Sequence, residues 1–260
     1  MPVFHDQLGR SVTILQPPKR IISIVPSQTE LLFFLGLEAE VAGVTKFCVH
    51  PAGKVNGKIK VGGTKQLDLE AIYALKPDLI IANKEENEQR QVEVLMAQYP
   101  VWVSDINDLP SALQMISGVG QITGRAKEAA LLTDKIRQEF VALVRPVTTF
   151  ISAYFIWRKP YMVAGSGTFI DSMLLYCGFT NVFALPRYPQ VTNQELIAAA
   201  PQLVLLSSEP YPFAQKHVEE IQALLPNAKI ILVDGEMFSW YGSRLLQAPT
   251  YFKALLETFS

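Results

Sequence analysis

Two stretches of this 260-residue chain follow the same pattern of a helix-type sequence, a proline and a run of apolar residues. Residues 69–81 read LEAIYALKPDLII and contain Pro77, and residues 195–205 read ELIAAAPQLVL and contain Pro201. Because proline cannot continue a helix, each stretch predicts a helix that ends just before a buried strand. The repetition predicts two similar α/β lobes within one chain.

The same alternation of strands and helices extends along the rest of the chain. Strands are predicted at residues 20–25, 41–44, 78–82, 101–103, 149–156, 202–206 and 229–233. Helices are predicted at residues 27–35, 68–76, 85–98, 111–124, 169–176, 193–200, 218–225 and 243–259. Strands that alternate with helices are typical of a parallel sheet covered by helices on both faces. For the first helix, Ser27 and Glu30 predict a capping box.

One predicted helix, at residues 125–144, is longer than the others and contains neither Gly nor Pro. Apolar residues recur along it at helical spacing, at Ala129, Leu132, Ile136, Phe140 and Leu143. About 20 residues make a helix of about 30 Å, which is long enough to cross from one lobe to another. We therefore predict an α/β fold of two Rossmann-like lobes with mainly parallel sheets, bridged by one long backbone helix. The predicted domains are residues 1–122, 123–146 and 147–260.

Composition excludes several classes of protein. Hydrophobic residues make up 49% of the chain, which excludes disorder, and a net charge of −1 argues against nucleic acid as a partner. The longest apolar runs are far shorter than the roughly 20 residues that a membrane span needs, so no membrane insertion is predicted. Cys48 and Cys177 are expected to be free thiols. The first ten residues lack the features of a signal peptide or lipobox, which predicts a cytoplasmic location if Met1 is the native start.

No motif in the chain predicts catalysis or an intrinsic cofactor. The Gly-x-Ser-x-Gly elbow is absent, and the glycine-rich residues 118–124 lie at the end of a predicted helix rather than after the strand that a dinucleotide-binding fingerprint requires. Residues 165–168 (GSGT) lack the lysine of a Walker loop and predict a tight turn before a helix. We therefore predict a protein that is not an enzyme.

Several segments, in this order and spacing, resemble the class III substrate-binding proteins of ABC importers. They are residues 18–30, residues 67–81, Gly165, Cys177-Gly178, Asn181 and residues 189–192. That group binds cobalamin, ferric siderophores and haem, and the resemblance is closest to its cobalamin-binding members. It implies a monomeric, periplasmic, non-catalytic protein that holds a metal chelate in a cleft between two lobes and delivers it to an ABC permease. Ferric siderophore, haem, and an intracellular corrinoid-handling or sensing role or enzyme on the same scaffold remain alternatives.

Ligands of open α/β sheets lie beyond the carboxyl ends of the strands, where this chain has loops rich in aromatic and polar residues. The resemblance places Phe47 and Tyr188 where relatives have cleft aromatics, and it places Asn83, Glu236 and Trp240 at other cleft positions. Aromatic and polar residues after the strands complete the predicted ligand-binding set with Trp157, Tyr241, Gln28, Arg158 and Arg244. The two arginines would suit an anionic group. The alternative for each of these residues is an ordinary loop anchor or a solvated surface position.

Three further residues have roles implied by the resemblance or by their chemistry. Glu70 matches a family glutamate that docks on the permease, and Glu195 is its counterpart in the second half, shifted by one position. A solvated helix-face glutamate is the alternative for both. His50 is the candidate for one axial contact to the metal of a bound chelate; with only three histidines in the chain, a dedicated zinc site is not expected.

Overall fold

The computed structural model describes residues 2–144 and 149–259, which form two compact units. Unit 1 contains the residues up to Ile106 together with Pro110–Arg137 and Tyr241–Arg244. Unit 2 contains Asn107–Leu109, Gln138–Trp240 and the residues from Leu245 onwards. The predicted domain boundary between residues 146 and 147 lies outside the described residues.

The elements up to residue 142 include the predicted alternation of strands and helices, together with three short strands that were not predicted, at residues 3–5, 11–13 and 59–60. In chain order, the elements are β1 (Val3–His5), β2 (Ser11–Thr13), β3 (Ile21–Ser23), α1 (Pro26–Phe34), β4 (Val41–Val44), β5 (Ile59–Lys60), α2 (Leu69–Leu75), β6 (Leu79–Asn83), α3 (Gln89–Met96), β7 (Val101–Ser104), α4 (Leu109–Ile122) and α5 (Ala126–Ala142). β1 and β2 form a small antiparallel pair. The other five strands form a parallel sheet in the order β5-β4-β3-β6-β7.

The core of unit 1 follows from its β-branched strands. The inner strands β3 and β6 are buried along their whole length, as expected for a parallel sheet with both faces covered, and the edge strand β7 is buried as well. Their side chains pack with those of α2 and α3 in one apolar cluster that includes Ile22, Ile80, Val103, Ile72 and Leu95. This packing sets the carboxyl ends of β3, β6 and β7 side by side at one edge of the sheet.

The second half of the chain forms the sheet of unit 2. Its elements are β8 (Phe150–Trp157), β9 (Tyr161–Val163), α6 (Phe169–Tyr176), β10 (Phe179–Asn181), β11 (Gln190–Val191), α7 (Asn193–Ala199), β12 (Leu203–Ser207), α8 (Gln215–Leu224), β13 (Lys229–Val233), α9 (Gly235–Ser239) and α10 (Ala248–Glu257). Four strands are parallel, in the order β10-β8-β12-β13. β9 and β11 add antiparallel pairs that the sequence did not predict, beside the last residues of β8.

The repeated sequence pattern is a structural repeat. α2 and α7 are each capped at the start by a side chain, Asp68 accepting from a backbone N–H and Thr192 doing the same. Each helix ends at a residue in the left-handed conformation, Lys76 or Ala200, both with φ 46°. The proline that follows then leads into a fully buried strand, β6 or β12.

Some local predictions were wrong at helix ends. Ser27 does not cap α1, because the helix begins at Pro26 with Val25 as an N-cap that provides no side-chain bond. Proline suits the first helical position, since its fixed φ is helical and the N–H it lacks would have had no partner. The predicted last helix is divided into a 3-10 turn at residues 243–246 and α10, and α9 was not predicted.

The predicted long helix corresponds to α5, whose residues up to Arg137 belong to unit 1 and the rest to unit 2. The glycine-rich residues 118–124 end α4 rather than open a helix. Gly118 packs against Trp102, and Gly120 packs so closely on Ala129 that an added Cβ would lie 2.3 Å from its side chain. Within the described residues, no helix has both the length and the apolar character needed to cross a membrane.

Candidate functional site

Gln28 and Asn83 meet at the hydroxyl of Ser104, at the carboxyl ends of β6 and β7. The Gln28 side-chain amide donates to Ser104 Oγ at 2.5 Å and that of Asn83 donates at 3.0 Å. Ser104 Oγ in turn donates to the Ala82 carbonyl at 3.1 Å. Both side-chain amides were predicted to bind ligand, but they are buried and donate to the same hydroxyl group. Within the described part of the chain, Gln28 Oε1 has no hydrogen-bond partner.

Asn83 also shapes the loop after β6. Its Oδ1 accepts from the backbone N–H groups of Glu85 and Glu86 at 2.8 and 3.0 Å. This arrangement is an Asx turn, in which the side chain replaces a backbone partner. The side chain of Asn83 thus fixes the conformation of the loop that contains Glu86.

The segment Tyr241–Arg244 belongs to unit 1 and is attached to it by two acidic residues. The Tyr241 hydroxyl donates to the Glu86 carboxylate. Arg244 forms a two-point ion pair with Glu30, with N···O distances of 2.7 and 3.2 Å. The Arg244 guanidinium, predicted to meet an anionic group of the ligand, is paired here with a side chain of the protein itself.

Phe47 lies in the loop after β4 and is 51% exposed. Lys46 Nζ lies 5.2 Å from the centre of its ring, and the ring edge packs over Gly63. Phe47 therefore presents an aromatic face to solvent beyond the end of a parallel strand.

The loop that follows Phe47 contains the predicted Cys-x-His pair. The Cys48 thiol is buried within 3.1 and 3.2 Å of the Thr29 and Thr45 hydroxyls, and burial raises its pKa. His50 is half-buried. Within residues 2–144 and 149–259, no three His, Cys, Asp or Glu side chains form a group that could hold a metal ion. Both cysteines are free, as predicted.

In unit 2, Trp157 is the last residue of β8 and Arg158 follows it, and the two side chains have different surroundings. Trp157 is 41% exposed, and its ring meets that of Tyr211 edge-on at 5.7 Å. Arg158 pairs with Glu220 at 2.6 Å, and the Tyr161 hydroxyl donates to the same carboxylate at 2.5 Å. These bonds lower the pKa of Glu220. As with Arg244, the guanidinium group of Arg158 is already paired within its own unit.

Tyr188 is half-buried and follows residues 185–187, a short segment, here called the strap, that is hydrogen-bonded to the GSGT turn. The Gly165 N–H donates to the Arg187 carbonyl at 2.7 Å, and the Ser166 N–H donates to the Leu185 carbonyl at 2.9 Å. The predicted tight turn is thus present, and it fixes the start of the segment that carries Tyr188.

Trp240 and Glu236 belong to a third group, on the segment after β13. Trp240 is only 6% exposed, and its indole N–H donates to Glu209 Oε1 at 2.8 Å. Ser239 Oγ donates to the same oxygen at 2.7 Å. Burial raises the pKa of Glu209, and the carboxylate of Glu236, in the first turn of α9, adds to this effect. Glu209 is not among the residues that the sequence predicted for the site.

The two residues predicted to dock on a permease lie at the starts of the repeated helices. Glu70 is exposed in the first turn of α2. Glu195 is exposed too, but its carboxylate accepts from the N–H and hydroxyl of Thr192 at 2.7 and 2.8 Å, and these bonds lower its pKa. Counted from the N-caps, Gln194 rather than Glu195 occupies the position of Glu70.

These features agree with a match to known proteins. Residues 21–228 match the periplasmic binding protein family. The chain belongs to this family. Members are periplasmic, bind small molecules and act with ABC permeases. The match confirms the predicted family and two-lobed fold class.

Individual relatives of this periplasmic binding protein differ in the ligands named for them. It is 26% identical to the vitamin B12-binding protein of Yersinia pestis (strain Pestoides F), over 95% of its length and 93% of the relative. It resembles the periplasmic heme-binding protein from Roseiflexus sp. RS-1, with a TM-score of 0.77, 22% identity and coverage of 93% and 97% of the two chains. It also resembles an ABC-type Fe3+-hydroxamate transport system from Saccharomonospora viridis, with a TM-score of 0.77, 20% identity and coverage of 100% and 99%.

Proposed function

We propose that this chain is the substrate-binding protein of an ABC importer and that its ligand is a metal chelate, most directly cobalamin or another corrinoid. The observation that carries the proposal is the exposure of two aromatic residues at strand ends, Phe47 in the loop after β4 of unit 1 and Trp157 as the last residue of β8 in unit 2. Exposed aromatic faces at strand ends suit a large, flat and partly apolar ligand, which such rings cover by stacking.

The carboxylates that follow β12 and β13 favour a ligand that donates hydrogen bonds over an anionic one. Glu209 and Glu236 lie after β12 and β13, and carboxylates accept hydrogen bonds and repel anions. A corrinoid carries neutral amide side chains that donate, whereas haem carries carboxylates. Arg158 and Arg244, the residues suited to bind a carboxylate, pair with Glu220 and Glu30. The named vitamin B12-binding relatives support the same choice.

The proposal is tested by titrating the chain with cyanocobalamin, haemin and a ferric hydroxamate while following tryptophan fluorescence, corrected for absorption by the ligand. We expect saturable one-to-one quenching by cyanocobalamin. Binding of haemin or the hydroxamate instead of cobalamin would leave a chelate-binding protein with another substrate. Failure of all three to bind would contradict the proposal.

Two matched substitutions test the aromatic contacts. Phe47→Ala is expected to weaken binding by about tenfold, the loss of about 1.4 kcal/mol of stacking and apolar contact. Phe34→Ala is the control, since Phe34 is 53% exposed but lies at the far end of α1. Equal affinities of the two variants would remove Phe47 from the site.

We also propose that Glu70 contacts the permease. It is exposed at the start of α2, whereas the Glu195 carboxylate is engaged by Thr192. Glu70→Ala is expected to reduce co-purification with the chain's ABC permease, while Glu93→Ala, an exposed glutamate on α3, is expected to leave it unchanged. Equal recovery of both variants would contradict this role.

A further inference from the structure

The backbone of Glu209, in the loop after β12, is held in place by hydrogen bonds to a side chain of the strand. Ser207 Oγ donates to the Glu209 carbonyl at 2.5 Å and accepts from its N–H at 3.3 Å. Tyr154, fully buried in β8, donates to the same Ser207 hydroxyl at 3.1 Å. The backbone of Glu209 is therefore anchored to the centre of the unit 2 sheet.

The neighbouring segment leaves room for this side chain only because it has a glycine. A Cβ at Gly235 would lie 2.3 Å from Ser207 Oγ and 2.7 Å from Glu209 Cγ. The Gly235 N–H also donates to Ser208 Oγ at 2.9 Å, which ties the segments after β12 and β13 together. The side chain of Glu209 thus runs through a narrow passage toward the end of α9.

At the end of this passage, one oxygen of Glu209 receives two donors. Oε1 accepts from Trp240 Nε1 at 2.8 Å and from Ser239 Oγ at 2.7 Å. Hydrogen bonds to an ionised acceptor are roughly twice as strong as neutral ones, so the charge of Glu209 determines how firmly the indole is held.

The groups that face Glu209 make this charge sensitive to pH. Burial and the carboxylates of Glu236 and Asp234, both on the segment after β13, raise its pKa, while the bonds from Ser239 and Trp240 lower it by less. On the β8 side, Tyr154 is neutral at ordinary pH, since burial raises its own pKa. Protonation of Glu209 therefore begins at a higher pH than for an exposed glutamate.

We propose that Glu209 is the positioning residue for Trp240 and that its protonation loosens Trp240 and lowers the affinity for the chelate. The two hydrogen bonds to Oε1 hold the indole in place. The effect on affinity rests on the proposed function and on the predicted contact between Trp240 and the ligand.

The positioning role is tested without ligand. The chain has three tryptophans, so protein labelled with 5-fluorotryptophan gives three 19F resonances, and Trp240→Phe identifies that of Trp240. We expect this resonance to shift with pH with a midpoint above 4.5 in the wild type. The shift should be absent in Glu209→Gln, which keeps a carbonyl acceptor, and Glu209→Ala should displace the resonance at every pH. Glu219→Gln, an exposed glutamate on α8, is the matched control.

The affinity role is tested with cyanocobalamin over the same pH range. Wild-type affinity is expected to fall about fivefold as Glu209 protonates, the ratio that corresponds to exchanging a charged for a neutral acceptor. Glu209→Gln should remove this dependence and Glu219→Gln should keep it. Absence of cobalamin binding at every pH would refute the proposed ligand and leave the 19F result to decide the positioning role. A Trp240 resonance unchanged in Glu209→Ala, or one that titrates alike in Glu209→Gln and wild type, would overturn the inference.

Discussion

Replacing Gly165 by alanine is expected to displace the strap that precedes Tyr188. An added Cβ would lie 1.9 Å from the Leu185 carbonyl oxygen. That distance is about 1.4 Å short of an ordinary C···O contact, which is about 3.3 Å. The neighbour is backbone rather than a flexible side chain, so residues 185–187 must move as a unit.

The magnitude follows from the hydrogen bonds that this movement breaks. The strap is held by Gly165 N–H to Arg187, Ser166 N–H to Leu185, and Arg187 N–H to Ser166, at 2.7, 2.9 and 3.1 Å. At about 1 kcal/mol for each bond, the free energy of unfolding should fall by about 3 kcal/mol. For a protein of this size, that loss lowers the Tm by about 6–12 °C.

Thermal unfolding followed by circular dichroism measures this change, with Gly57→Ala as control. Gly57 has no atom within 4 Å of an added Cβ and no left-handed φ, so its replacement should stabilise by about 0.4–1 kcal/mol or leave stability unchanged. A shift in Tm of about 2 °C corresponds to a loss of at most about 1 kcal/mol. A Gly165→Ala protein whose Tm lies within 2 °C of the wild-type Tm would therefore refute the reasoning.

Three further predictions follow from buried or capping groups. The raised pKa of Glu209 means that the folded state keeps the proton of this carboxyl to higher pH than the unfolded state does. The free energy of unfolding of the wild type should therefore fall, relative to that of Glu209→Gln, as the pH rises from about 4.5. A difference in Tm between the two proteins that stays constant between pH 4.5 and 8 would contradict this. Cys48 and Cys177 are buried with raised pKa values, so neither should react with a thiol reagent until the chain unfolds, and rapid labelling of the native protein at pH 8 would show otherwise. Thr192→Ala removes the cap of α7 and should cost about 1 kcal/mol in urea unfolding, whereas an unchanged midpoint would mean that the cap is dispensable.

Much of the architecture was predictable because its signals are local. The helix, proline and apolar run of residues 69–81 contain what a short helix and a buried parallel strand need, and α2 and β6 form there; α7 and β12 repeat them. The start of α1 was mispredicted because Ser27 and Glu30 match a capping box in sequence. The geometry of Pro26 decided the first turn, and Glu30 pairs with Arg244 instead.

The candidate site was predictable only as a set of loops. Phe47 lies in a loop after an apolar run, as predicted, whereas Trp157, predicted to follow the strand, is the last residue of β8. Asn83 and Gln28 occupy the expected edge of the sheet, but they are buried and bonded to Ser104.

Apolar periodicity and proline act over a few neighbouring residues, so the alternation of strands and helices, the repetition of α2–β6 in α7–β12 and the family could be predicted from the sequence alone. Which charged and polar groups meet depends on how distant segments pack in the folded protein. Three side-chain pairs show this. Arg244 pairs with Glu30, which is 214 positions away in the sequence. Tyr241 donates to Glu86, 155 positions away, and Trp240 donates to Glu209, 31 positions away. The short strands β9 to β11 likewise depend on their partners, since a strand of two or three residues has too few side chains to specify itself. These pairings arise where segments far apart in the chain pack together, and no local pattern records them.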